Sequence, residues 1–167
     1  TFRGGAAHSQ LDGRVERIED GPAGGKFITI EGEQHYVAPE FKVHVKKGDF
    51  VEAGDVLSEG IPDPSIITHF KGVGEGRDYF IRAAYKTMQD AGMKPHRRNL
   101  ELLARGLINH VRLTEETDDN VPGDIVPYST LEHTYKPRQG FRTVEPTGAM
   151  GKYLERPYLH YSIGTKL

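Results

Sequence analysis

The densest group of residues able to do chemistry is basic. Lys94-Pro95-His96-Arg97-Arg98 sets three permanent cations and a histidine within five positions, just ahead of an apolar-periodic segment. Cations at that density suit the phosphate oxygens of nucleic acid, and the same residues also fit a solvated helix start. A second candidate, Gly72-Val73-Gly74-Glu75-Gly76-Arg77, has the glycine content of a phosphate loop. Its third glycine comes too early for G-x-G-x-x-G and no strand of suitable length feeds it, so it reads as a flexible helix entry. The eight histidines, at 8, 35, 44, 69, 96, 110, 133 and 160, are scattered. No H-x-H, H-E-x-x-H or D-x-D-x-D is present, and a metal site is not expected. No G-x-S-x-G elbow supports a serine triad. Cysteine is absent, which excludes disulfides, thiolate metal sites and cysteine nucleophiles and is compatible with a cytosolic setting. The sequence therefore offers no catalytic residue and no metal ligand set.

Charge is segregated along the chain. Glu115-Glu116-Thr117-Asp118-Asp119-Asn120 is acidic and free of apolar residues, as a solvated loop would be. The stretch after it carries Lys136, Arg138, Arg142, Lys152 and Arg156, which hints at a binding surface. With a net charge of −2 and a pI near 6.4, no global field draws the 167-residue chain to nucleic acid or to an anionic membrane. No apolar run approaches the roughly 20 residues of a membrane span, and none reads as a signal peptide. Thr1 at the first position suggests a fragment or a processed product.

The elements that would position these residues follow from periodicity. Gly13-Arg14-Val15-Glu16-Arg17-Ile18 and Lys26-Phe27-Ile28-Thr29-Ile30-Glu31 alternate as half-buried strands do, with turn residues between them, and His35-Tyr36-Val37 continues the meander. From Val43 to Leu57 the repeated Gly-Asp predicts short strands joined by turns with positive φ. Pro62 and Pro64 end this region, and Asp63 is a good helix N-cap. Helices are expected over Asp78–Ala91, capped by Gly92, and over Asn99–Leu107. Phe80, Tyr85, Leu100 and Leu103 are expected to be buried between the helices and the sheet. Short strands are expected at His110–Leu113, Gly123–Tyr128 and Tyr158–Ile163. Twenty glycines and ten prolines fit many short elements.

Several stretches, in order, resemble the β′ subunit of bacterial RNA polymerase after its trigger loop. "DGRVERI" is similar to a family strand opening. "VKKGDFVEAGDVLSEGIPDP" is similar to V-x-x-G-D-x-V-x-x-G-x-x-L-x-x-G. The run from Gly72 to Glu115 resembles the family's helix pair, "GDIVPYSTLE" the strand that closes the module, and "TFRGGAA" the trigger-loop element T-F-H-x-G-G-A. The match covers roughly three quarters of the chain. It implies an α+β fold: a β-rich sandwich-barrel hybrid module with an inserted or following two-helix jaw and an irregular C-terminal tail. The implied divisions are a trigger-loop remnant over 1–10, the hybrid module over 11–62, the helical jaw over 63–114, and closing strands with the tail over 115–167.

The departures define the role. Arg3 stands where the family has a trigger-loop histidine facing the incoming nucleotide, which makes Arg3 the one substrate-proximal candidate; Arg cannot donate a proton near neutral pH as His can. The family's K-H-h-E, where h is apolar, reads Arg98-Asn99-Leu100-Glu101, and its R-Q-M reads Arg105-Gly106-Leu107. Its metal-binding N-A-D-F-D-G-D loop is absent. The resemblance implies a non-catalytic part of a divergent, phage-type or split RNA polymerase, cytoplasmic and partnered by other polymerase subunits. Mg²⁺ would sit on the partner catalytic subunit, with no cofactor on this chain. Double-stranded DNA would meet Lys71, Lys94, Arg97 and Arg98 through its backbone. Two other readings remain: a stand-alone lipoyl-like module, and a regulator that binds a polymerase.

Overall fold

The computed structural model describes residues 4–159 and 161–167 and divides into two compact units, Thr1–Phe70 and Lys71–Leu167. Arg3 lies outside the described residues.

The first unit is a curled antiparallel sheet in the order β3-β2-β1-β4, built from β1 (Gly13–Asp20), β2 (Lys26–Ile30), β3 (Glu33–Val37) and β4 (Phe50–Val51). Register runs from Asp20↔Lys26 to Arg17↔Thr29 and then slips, so that Val15 faces Ile30. The extra residue of this bulge, Glu16, bends β1 and lets its start pair with β4. The core is Val15, Ile28, Ile30, Val37, Val51 and Leu57, each at most 4% exposed; the half-buried alternation expected of β2 is not kept, because Thr29 between its two isoleucines is buried as well. β2 turns into β3 through Glu31 and Gly32, both at positive φ (47° and 80°), as a type I′ hairpin requires.

The Gly-Asp pairs form one recurrent device. In Lys46–Asp49 and Glu52–Asp55 the backbone closes a turn over a glycine at φ 90°, as type II turns do. The aspartate carboxylate then accepts the first residue's N–H, at 2.7 Å from Lys46 and 2.8 Å from Glu52. The same arrangement returns in the second unit at Val121–Asp124, with Val121 donating at 3.1 Å. Only Phe50–Val51 of the expected strands between Val43 and Leu57 is a strand; Val43 and Val56 make isolated bridges instead.

α1 (Pro64–Asp90) begins fourteen positions before the expected Asp78 and breaks at Gly72 (φ 90°, ψ 168°). Asp63 caps it, accepting the Ser65 N–H at 2.8 Å. Thus the glycine-rich stretch is the interior of a broken helix, not its entry. Gly92 ends α1 as expected: it donates to Gln89 while Met93 donates to Met88, a Schellman pair.

In the second unit α2 (Arg97–Leu107) packs Leu100 and Ala104 on Ile81 of α1, with Phe80, Ala84, Tyr85 and Met88 around them. Leu103 is not part of this core. It is 50% exposed, because Ala104, which is fully buried, takes the central contact and its small side chain admits α1 closely. β5 (His110–Arg112) pairs with β6 (Ile125–Pro127), and α3 (Tyr128–Thr134), which periodicity did not reveal, follows directly. α4 (Pro146–Ala149) lies in the tail. Among the described residues of the stretch Tyr158–Ile163, the expected strand is not formed. Tyr158 and Tyr161 form an isolated antiparallel bridge with each other, and Leu159 sits at φ 53°.

Candidate nucleic-acid interface

The basic cluster occupies the connection from α1 to α2. His96 is the N-cap of α2 but makes no side-chain cap, and the first turn contains no acid. Arg97 and Arg98 instead begin the helix, where the macrodipole is already positive; cations there are unfavourable by roughly 0.3–1 kcal/mol each at an exposed site. Arg97 is partly neutralised, with Nε 3.1 Å from Glu101 and Nη2 3.5 Å from Asp78. Asp78 also pairs with Arg82 at 2.9 Å. Lys94 and Arg98 are exposed and make no ion pair among the described residues. The three cations form one patch that faces water, with positive potential that the fold does not fully offset.

Lys71 does not join it. It is half-buried at the Gly72 break, whereas Lys94 follows the far end of α1. At 1.5 Å rise per residue, the helix between them spans roughly 25 Å.

Arg77, which the sequence analysis did not single out, is the positioning residue of this unit. Its Nε donates to the Ile108 carbonyl at 2.8 Å and Nη2 to Asn109 Oδ1 at 3.1 Å, while its guanidinium lies 5.6 Å from the centre of the Tyr128 ring. Burial and the Arg105 charge push its pKa below the ordinary value. Burial first of all raises that of Tyr128, whose hydroxyl accepts the Ile163 N–H at 3.1 Å. Asn109 Nδ2 donates to Ser129 Oγ at 3.2 Å, and the Asn109 side-chain oxygen accepts the Ser129 N–H at the same distance. One cation thus ties α1 to the end of α2, the start of α3 and, through Tyr128, the tail.

The tail also rests on Gly72. A Cβ there would lie 3.0 Å from Thr165 Oγ1 and 3.2 Å from Ser162 Oγ, hydroxyls that are buried and 3.1 Å from each other. Only glycine combines that approach with φ 90°. The glycine-rich stretch that looked like a phosphate loop is filled, at its first residue, by the chain's own tail.

The acidic run and the basic tail pair with one another. Lys136 donates to Asp118 at 2.6 Å, and Arg138 Nη1 to Glu115 at 2.9 Å. Glu155, with its side chain only 13% exposed, accepts Arg138 Nε at 2.6 Å, the Arg138 N–H at 3.1 Å and the Tyr135 hydroxyl at 2.7 Å. These donors hold the Glu155 carboxyl below its usual range against burial, which acts the other way. Burial and the neighbouring carboxylate push the Tyr135 hydroxyl up to about 12.

No family model matches the chain. It is 31% identical over 129 residues to the DNA-directed RNA polymerase subunit β′ of Lysinibacillus sphaericus, covering 74% of this chain and 10% of that protein. To the same subunit of Desulforudis audaxviator it is 30% identical over 136 residues, covering 78% of this chain and 12% of the relative. The corresponding values for Thermus aquaticus are 30%, 119 residues, 70% and 8%. The chain spans about a tenth of the length of the curated relatives it matches. About three quarters of the chain is similar to a segment of bacterial β′.

Proposed function

We propose that this chain serves transcription as a non-catalytic part of a multisubunit DNA-dependent RNA polymerase, assembled with other polymerase subunits. The similarity to β′ along most of its length carries this reading. The curled sheet of the first unit would be the sandwich-barrel hybrid module, and the α1–α2 pair the jaw beside downstream DNA. Nucleotide addition and its Mg²⁺ would belong to a partner chain bearing the metal-binding aspartates.

Duplex DNA would lie against Lys94, Arg97 and Arg98. Three cations at a helix N-terminus that lacks an acid in its first turn favour a phosphate there, and backbone contacts of this kind grip DNA without reading its sequence. Lys71 would make a separate contact.

Size exclusion of the native preparation, with mass spectrometry of every co-eluting chain, tests the assembly. Co-elution with a large subunit carrying N-A-D-F-D-G-D is expected; elution as an 18.7 kDa monomer would overturn the reading. For the DNA contact, the Lys94→Ala/Arg97→Ala/Arg98→Ala variant should weaken duplex binding and lower the salt slope by about three.

A further inference from the structure

The tail presents an arrangement that the duplex-facing patch does not explain. Phe141 is 43% exposed, and the Arg156 guanidinium lies 5.1 Å from its ring centre. The Phe141 N–H donates to the Arg138 carbonyl at 3.1 Å, so Phe141 and Arg138 belong to one turn. Arg138 is anchored on one edge by the nearly buried Glu155. Its outer edge, Nη1, points to Glu115 instead. Lys136, two residues earlier, is 81% exposed and points to Asp118, itself 74% exposed. An aromatic face with interleaved cations is the composition of a stacking platform for bases with a track for phosphates.

The acids on this surface differ in kind. Glu155 accepts several donors and is shielded, so it orients Arg138 permanently. Glu115 and Asp118 touch only the outward edges of Arg138 and Lys136, through exposed pairs that contribute little to stability. They sit where anionic oxygens of a ligand would sit.

We propose that the surface formed by Lys136, Arg138, Phe141 and Arg156 binds single-stranded nucleic acid, and that Glu115 and Asp118 occupy its phosphate positions until a strand displaces them. Displacement exchanges one set of exposed ion pairs for another, while Arg138 stays oriented on Glu155 and loses little freedom. Unpaired bases offer the ring a face to stack on. A duplex offers none, which is why a single strand fits this surface better.

The experiment is fluorescence anisotropy of the whole chain with a labelled single-stranded oligonucleotide and with a duplex of equal length. Glu115→Gln/Asp118→Asn should tighten single-strand binding by on the order of tenfold at low salt, as counter-charges leave a phosphate track. A charge-matched control, Glu16→Gln/Glu40→Gln on the first unit, should change it far less. Adding Phe141→Ala should abolish most of the single-strand gain and leave duplex binding unaltered. Asp118→Asn alone, at an exposed position, gives the same reading should the double variant lose its circular dichroism. A gain no larger than the control's, or an equal gain for duplex, would overturn the proposal. The Lys94, Arg97 and Arg98 variant acts on the other patch, so its outcome bears only on duplex handling.

Discussion

Arg77 donates through Nε to the main-chain oxygen of Ile108, 2.8 Å away and thirty-one positions along the chain. Ile108 is the C-cap of α2, so a side chain of α1 satisfies a carbonyl that the second helix cannot satisfy itself. Arg77→Met keeps much of the side chain's volume and removes every donor. It should lower stability by about 1–3 kcal/mol, a loss typical of hydrogen bonds to a charged group at a partly buried site. Urea denaturation followed by circular dichroism measures this. Arg77→Lys should recover little, since one ammonium cannot serve both Ile108 and Asn109 in the planar geometry of a guanidinium.

The helix pair makes a contrast between two leucines three residues apart. Leu100 is 4% exposed and Leu103 is 50% exposed. Leu100→Ala should cost about 2–4 kcal/mol through lost burial and the cavity left against Ile81. Leu103→Asp, at a position that the sequence pattern placed in the core, should stay within about 0.5–1 kcal/mol of the parent. Thermal melts of the two variants decide between the faces; equal loss in both would mean that α2 is rotated.

His35 gives the first unit a pH dependence. It lies inside the sheet at 6% exposure, its Nε2 has no hydrogen-bond partner among the described residues, and burial lowers its pKa below the ordinary 6.5, with Glu33 opposing weakly. The unfolded chain therefore takes up a proton at a higher pH than the folded chain does. The stability contributed by neutral His35 is complete above about pH 6.5 and is lost as pH falls from there through the lower, folded-state pKa. Glu155, whose pKa is also lowered, acts in a separate window, losing its contribution only below the ordinary carboxylate value of 4.5. Melting temperature should thus fall between pH 7 and 5 in the parent, and His35→Leu should flatten that limb while leaving the acid limb below pH 4.5. A parent that melts at one temperature from pH 7 to 5 would rule out His35 as the source.

Much of the fold is written locally. The meander is legible because β1 and β2 alternate, and the Gly-Asp turns because backbone conformation and side-chain acceptor lie within four residues. Asp63 and Gly92 mark helix ends for the same reason. What fails is whatever depends on a partner elsewhere in the chain. Periodicity found α2 and its buried Leu100 but added Leu103 to the core, whereas burial goes to Ala104 beside Leu100. Charge counting saw an acidic run and a basic tail as separate features; the pairs Lys136–Asp118 and Arg138–Glu115 span eighteen and twenty-three positions and leave no local signal. Of the expected contact residues, Lys94, Arg97 and Arg98 share a patch because they share a turn, while Lys71 was grouped with them by charge alone. Arg77 was hidden in a glycine-rich motif whose functional reading drew attention elsewhere.

The first unit and the tail of the second are held by different forces. The first rests on an aliphatic core of Val15, Ile28, Ile30, Val37, Val51 and Leu57, which salts such as sulfate reinforce by excluding themselves from apolar surface. Beyond α3 the one-turn α4 is the sole helix or strand among the described residues, and the tail is fastened by a carboxylate at Glu155, hydroxyls at Ser162 and Thr165, and the phenol of Tyr128. Contacts of that kind gain little from sulfate, and the ionic ones weaken as the solution screens them. Concentrated sulfate should therefore strengthen the aliphatic core more than the fastening of the tail, and the tail would come loose before the core melts, leaving no single midpoint to represent the chain.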